Sequence, residues 1–217
     1  MGNKSSHASV ALDAWLLRPA VDRTIAIVAF VPFGYRIWEC LQERPLPIED
    51  VLLVLELALL AITMVTRRPA VRVTHNPLFW LLAFIATYWS FLTQTLYDVG
   101  HPIAPRGISI SLAVIGFAVS VWARLSLGRN IGFVPAERSI VTSGAYAWVR
   151  HPIYTGLIIS IVALDMVSFS WRNVMVDLVW IGLWVVKTLV EERFLKCSVE
   201  YATYAERVRW RWLPWIA

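Results

Sequence analysis

The sequence predicts an all-α, polytopic membrane protein of about six transmembrane helices; a cytoplasmic pocket formed by its C-terminal half follows from polar residues taken last. Three observations predict it. Of 217 residues, 58% are hydrophobic and only 16% charged, and the mean hydropathy of +0.61 lies outside the range of ordinary soluble domains. Apolar runs at 24–42, 48–66, 77–96, 107–125, 152–170 and 174–190 each approach the ~20 residues that carry a helix across ~30 Å of hydrocarbon. Basic residues alternate between the two sides of these runs, which orients them.

The first run follows a polar, mixed stretch with no cleavable signal pattern. "MGNKSS", with Gly2 and Ser6, fits the N-myristoylation pattern, but one acyl chain adds little to a chain that already spans the bilayer. Pro32 and Gly34 predict a kink in this span. Arg36 in its outer half and Glu56 near the middle of the second span are expected to pair across a hairpin closed by "QERPLPIED". The fifth and sixth spans, joined by "FSWRN", form a second hairpin. Asp165 and Asp177, near its outer end, read as solvated, and Lys187, four residues before Glu191, as a snorkelling residue.

Lys4, Arg18 and Arg23 precede the first span, and Arg67, Arg68 and Arg72 lie between the second and third. Arg124, Arg129, Arg138 and Arg150 surround the connection between the fourth and fifth, and Arg193, Lys196, Arg207, Arg209 and Arg211 occupy the tail. The opposite loops hold only Arg44, Arg106 and Arg172. The positive-inside rule therefore puts both termini in the cytoplasm. The net charge of +5 is topological and gives no reason to expect a nucleic-acid partner. Trp15, Trp148, Trp171, Trp210, Trp212 and Trp215 fall near span ends, where indoles favour the interface.

Cys40 and Cys197 form no metal pair or disulfide framework, and His75 and His101 lie in loops on opposite faces, so no metal is expected. We read 1–217 as one membrane domain, with an N-terminal four-helix part at 24–126 and a C-terminal part at 127–217, to which the resemblance given below assigns cofactor binding and catalysis.

Four polar features converge on the cytoplasmic face: the long loop "LGRNIGFVPAERSIVTSGAYAWVR", the start of the fifth span at "RHPIYTG", Glu191 and Glu192 at the exit of the sixth, and the basic-aromatic tail. The loop is too apolar for a solvated linker. The hairpin brings Arg150 and His151 within reach of Glu191 and Glu192. Pro152 suits the first helical position, and Gly156 permits close approach of a ligand or a neighbouring helix. A helix N-terminus suits a carboxylate and a glutamate pair suits an ammonium or sulfonium, so one zwitterion could use both.

"LGRN", "VTSGAYAWVRHPIYTG", "EERFL", "EYATYAERV" and "RWLP" resemble the C-terminal half of the isoprenylcysteine carboxyl methyltransferase and phospholipid methyltransferase superfamily, over roughly 125–214. The resemblance implies an integral membrane methyltransferase that uses S-adenosylmethionine. It places His151, Tyr154, Tyr146, Glu191, Asn130, Arg129 and Gly156 about the cofactor, and gives Arg211, Glu192 and Arg150 the catalytic part, Arg150 by bracing the loop. The methyl acceptor would be lipophilic and enter from the bilayer among membrane lipids. Ile131 and Gly132 depart from the Trp and Ser of prenylcysteine enzymes, which bears on the acceptor more than on the cofactor. No GxGxxG occurs, which excludes a Rossmann-type site. A phospholipid amine acceptor, an NADPH-dependent sterol-type reductase, and a small transporter or scaffold are the competing readings. Polar residues gathered at one mouth, rather than along a path, speak against the last.

Overall fold

The computed structural model describes residues 18–42 and 45–214. The expectations on Gly2, Lys4, Ser6, Trp15, Arg44 and Trp215 lie outside these residues. Each apolar run is a helix: α1 (Pro19–Gln42), α2 (Ile48–Val65), α3 (Pro77–Leu92), α4 (Arg106–Leu127), α5 (Pro152–Val167) and α6 (Trp171–Leu195), followed by the short α7 (Val199–Arg207). Segments 23–42, 106–130 and 171–195 are long and apolar enough to cross a membrane. Helices α3 and α5 are apolar but of 16 residues each, about 24 Å at 1.5 Å per residue. Helix α2 is 18 residues long and carries Glu49, Asp50 and Glu56.

Local chemistry sets the boundaries. Asn76 accepts from the Leu78 amide at 2.9 Å with Pro77 in the first turn, and Ser170 accepts from the Arg172 amide at 3.2 Å. Helix α1 runs continuously through Pro32. Helices α4 and α5 approach most closely through small residues four apart, Gly116 and Ser120 facing Gly156 and Ser160. A Cβ on Gly156 would stand 2.6 Å from the Gly116 carbonyl oxygen and the Ser120 nitrogen. Gly156 therefore serves the neighbouring helix, and it lies outside the cavity described below. Helices α3 and α6 are joined by indole donors, Trp180 to the Ala86 carbonyl at 2.8 Å and Trp89 to that of Val176 at 3.1 Å.

Two ends of the bundle differ. At one, short connections are tied together: His101 and Phe169 exchange backbone hydrogen bonds, and the Tyr97 hydroxyl donates to Asp177 at 2.5 Å. Asp177 is 7% exposed, so the expectation of a solvated carboxylate is corrected. Tyr97 and Asn173 enclose the end of the hairpin, because Asn173 donates to the carbonyls of Asp98 and Ser168.

The other end carries the long loop and the tail. A two-stranded antiparallel ribbon, β1 (Arg72–Val73) with β2 (Ala136–Glu137), pins the α2–α3 loop to the α4–α5 loop, and Arg72 pairs with Glu137 at 3.0 Å. The loop then turns inward: Ile131 is buried, and Phe133 packs on Tyr88 of α3 with ring centroids 5.9 Å apart. That explains its apolar composition. Gly144, at φ +61°, takes the left-handed conformation that starts the turn to Tyr146. Helix α7 is amphipathic and buries Tyr201 and Tyr204, three residues apart on one face.

Candidate functional site

The hinge of the loop-rich end is Glu192, 2% exposed in the last turn of α6. Its Oε1 accepts from Arg150 Nε at 2.7 Å and faces His151 Nε2 at 3.2 Å, and its Oε2 accepts from Arg150 Nη2 at 3.2 Å and Arg211 Nε at 3.3 Å. An ionised carboxylate offers about four lone-pair sites and no donor, so these four contacts fill it and require the His151 proton on Nε2. Arg150 is equally committed, since its Nη1 donates to the carbonyls of Ala205, Val208 and Arg209 at 3.3, 2.8 and 3.1 Å. The amides of Arg150 and His151 donate to the carbonyls of Trp210 and Arg211, and the Thr155 hydroxyl donates to that of Trp212. The tail is thereby strapped across the start of α5. The predicted meeting of Arg150 and His151 with the glutamate pair holds for Glu192. Their geometry joins Glu192 and Arg150 in a structural frame.

Above this frame begins a cavity of about 690 Å³ inside the bundle, within the ~300–1,000 Å³ usual for small-molecule sites. From His151 to Asp165 it follows α5, a rise of about 21 Å for 14 residues. Its walls come from α1 to α6, so the pocket is not the work of the C-terminal half alone. Of the predicted site residues it gathers Tyr146, Arg150, His151, Tyr154, Glu191 and Asn130. Arg129 and Arg211 lie outside it: Arg129 is exposed and donates to the Thr66 carbonyl at 2.5 Å, and Arg211 reaches Glu192 from behind.

Besides Glu56 Oε2, three polar groups on the wall lack partners among the described residues. Glu191 has no hydrogen bond or ion pair among the described residues. The Oδ1 of Asn130 and the hydroxyl of Tyr201 are buried without a hydrogen-bond partner. Burial, with the nearby charges of Glu192 and Glu191, pushes the Tyr201 phenol up, and burial also raises Tyr146 and brings Tyr204 up to about 12. These phenols stay protonated near neutral pH and can donate, but cannot serve as bases.

Two charged features inside the bundle were not anticipated. Glu56 does not pair with Arg36, which bonds Glu39 at 3.4 Å. Its Oε1 instead accepts from Arg124 Nη2 at 2.6 Å, Arg124 Nε at 3.0 Å and the Ser120 hydroxyl at 2.7 Å. A hairpin argument considers only consecutive helices, and here the partner is on α4. Lys187 is 9% exposed and faces the cavity, with Nζ 5.9 Å from the ring centroids of both Phe133 and Tyr154. It does not snorkel. Tyr201 stood within the quoted "EYATYAERV", and its spacing of three from Tyr204 was the available signal. Among the described residues no group of three His, Cys, Asp or Glu could hold a metal ion.

A helical bundle with apolar spans fits an integral membrane protein, and its interior cavity, lined by polar as well as apolar residues along its length, is a candidate ligand site between the helices. Residues 106–200, α4 through the start of α7, match the family model described as phospholipid methyltransferase, one of the families that this part of the sequence resembles. No curated protein matches the chain.

Proposed function

We propose that the protein is an S-adenosylmethionine-dependent methyltransferase that methylates the carboxylate of a lipophilic, isoprenylcysteine-like acceptor. Its six helices span the bilayer, with both termini and the mouth of the cavity on the cytosolic side, as the distribution of arginines favours. The observation that carries the reading is the sorting of charge at the mouth: Glu192 is saturated by Arg150, His151 and Arg211, while adjacent Glu191 faces the cavity unpaired. Asn130 Oδ1 and the Tyr201 hydroxyl add a free acceptor and a free donor. An ammonium for Glu191 and hydroxyl or amino groups for the other two fit a nucleoside that carries an amino acid.

When bound, S-adenosylmethionine supplies an electrophilic methyl on a sulfonium. A bond forms from the acceptor oxygen to that methyl as the carbon–sulfur bond breaks, and the electron pair stays on sulfur. A carboxylate acceptor has no proton to lose, so the protein's tasks are alignment, worth up to ~7–11 kcal/mol in favourable cases, and exclusion of water from the nucleophile. Phe133, Ile153, Leu157 and Trp184 line the cavity beyond the polar mouth and supply that dry wall.

The description of the matching family favours a second reading, transfer to a phospholipid amine. That reaction releases a proton, and Glu191 is the free carboxylate that could take it.

The test is incubation of the purified protein with deuterated methyl donor and membrane lipid extract, followed by mass spectrometry, with thermal protection by S-adenosylhomocysteine and NADP measured in parallel. A deuterated ester and protection by S-adenosylhomocysteine alone are expected, and Glu191→Gln should remove the protection while the unliganded melting temperature holds. A labelled amine would establish the second reading. Protection by NADP alone would overturn both.

A further inference from the structure

We infer that Lys187 is the residue that holds the anionic head of the lipid acceptor, and so selects an acid over a neutral analogue. The inference rests on the methyltransferase reading for what happens after binding, and on the geometry alone for the binding itself.

The argument begins with the cost of the ion. Lys187 lies two turns before the end of α6 and is 9% exposed. An ammonium taken out of water is strongly penalised unless it is paired and hydrogen-bonded. The neighbouring buried cations are matched: Arg124 rests on Glu56 and Arg150 on Glu192. Lys187 has no carboxylate within ion-pair distance among the described residues. Glu191, one turn further on the same helix face, does not reach it. Its surroundings are the faces of Phe133 and Tyr154, each with a centroid 5.9 Å from Nζ. Two ring faces at that distance attract a cation. The Tyr154 hydroxyl is also a hydrogen-bond partner of the ammonium, which leaves two of its three donors for a ligand.

The placement is specific for one kind of ligand. Glu191 and Lys187 are four residues apart, about 6 Å along the axis, with the anion at the polar mouth and the cation deeper, beside Leu157 and Trp184. A donor carrying an ammonium takes the outer position. The inner position opens on a cavity whose walls include Phe133, Leu157, Ile161 and Trp184, so its ligand is an anion attached to a chain, such as the carboxylate of a lipid acid. A quaternary or primary amine would meet Lys187 charge to charge. The resemblance implies a catalytic part for Arg211, whose guanidinium bonds Glu192.

The test uses the full-length protein in detergent and two ligand pairs: an S-farnesylated N-acetylcysteine and its amide, and oleic acid and oleamide. Binding is read by thermal shift and by equilibrium dialysis, with S-adenosylhomocysteine affinity measured separately. Wild type should prefer at least one acid over its amide by about tenfold, the effect of one charge-assisted hydrogen bond in a dry site. Lys187→Met should abolish that preference while S-adenosylhomocysteine binding stays within about twofold, and Lys187→Arg should restore much of it. Absence of any acid preference in wild type overturns the inference, as does a Lys187→Met protein that keeps the preference. Should Lys187→Met fail to fold, Phe133→Leu, which removes one ring from the ammonium, must lower the same ratio, and an unchanged ratio overturns the inference. Failure of S-adenosylhomocysteine to bind wild type, with acid preference intact, would instead sink the methyltransferase reading and leave Lys187 as the head-group site.

Discussion

Replacing Glu192 with leucine removes the acceptor of four donors and strands the Arg150 guanidinium, whose side chain is 5% exposed against 3% for Glu192. Breaking a buried ion pair from one side typically costs about 3–5 kcal/mol, because the remaining charge is left uncompensated. For a chain of this length about 1 kcal/mol moves the melting temperature by roughly 2–4 °C, so Glu192→Leu should melt about 6–20 °C below wild type. Arg150→Met should be at least as damaging, since it also orphans the carbonyls of Ala205, Val208 and Arg209. The double variant removes the buried charge but not the orphaned carbonyls. It should fall close to Arg150→Met rather than at the sum, with a coupling of several kcal/mol. The assay is thermal unfolding in detergent followed by the reactivity of Cys40, which is buried until the bundle opens. A Glu192→Leu protein that melts within about 1 °C of wild type, or strict additivity in the cycle, would refute the view of Glu192 as the frame of the site.

Gly156→Ala puts a methyl 2.6 Å from backbone atoms of α4, which cannot rotate away. The overpacking should cost about 1–3 kcal/mol or more, read as a lower melting temperature, whereas Gly182→Ala, with nothing within 4 Å of the added carbon, should be neutral or stabilising. A double-mutant cycle on Glu56 and Arg124 should give coupling above about 1 kcal/mol, and the same cycle on Glu56 and Arg36 should give none, as chemical unfolding would show. Tyr201→Phe deletes a buried hydroxyl that has no partner, so stability should hold or rise by about 1 kcal/mol while S-adenosylhomocysteine affinity, measured by calorimetry, falls several-fold. The phenols of Tyr146, Tyr201 and Tyr204 titrate higher in the folded chain than the ordinary 10.0, so their stabilising share is complete below pH 10 and is lost as pH rises from there toward their folded values. Melting temperature plotted against pH should therefore decline above about pH 10, and more gently in Tyr201→Phe.

The helices were legible because each is announced by an apolar run with a proline or a capping residue at its start, as Pro77, Pro152 and Ser170 show. The hairpin of α5 and α6 was legible for the same reason, since a short connection makes neighbours of its flanks. Pairings between non-consecutive helices were not. Glu56 looked bound to Arg36 because those residues share a hairpin, and nothing local says that α4 brings Arg124 closer. Asp177 and Lys187 were read as solvated or snorkelling because their positions along a helix were known and their rotational facing was not. The role of Gly156 hung on the same unknown, and a Gly-x-x-x-Ser spacing on both α4 and α5 would have resolved it.

The charges inside this bundle divide into two kinds, and the division is energetic. Arg150 with Glu192 and Arg124 with Glu56 join elements far apart in the chain, each ion meeting its opposite at 2.6–2.7 Å. Their desolvation is offset within the protein, and they fix where α2, α4, α5, α6 and the tail stand. Among the described residues Glu191 and Lys187 have no such partner, and both line the cavity. A buried ion without a partner is a standing cost, which a membrane protein bears where something else supplies the opposite charge. The two are of opposite sign and four residues apart on one helix, with Glu191 nearer the loop-rich end. The complement we propose for that pair is a water-soluble cation beside Glu191 and a lipid-borne anion beside Lys187.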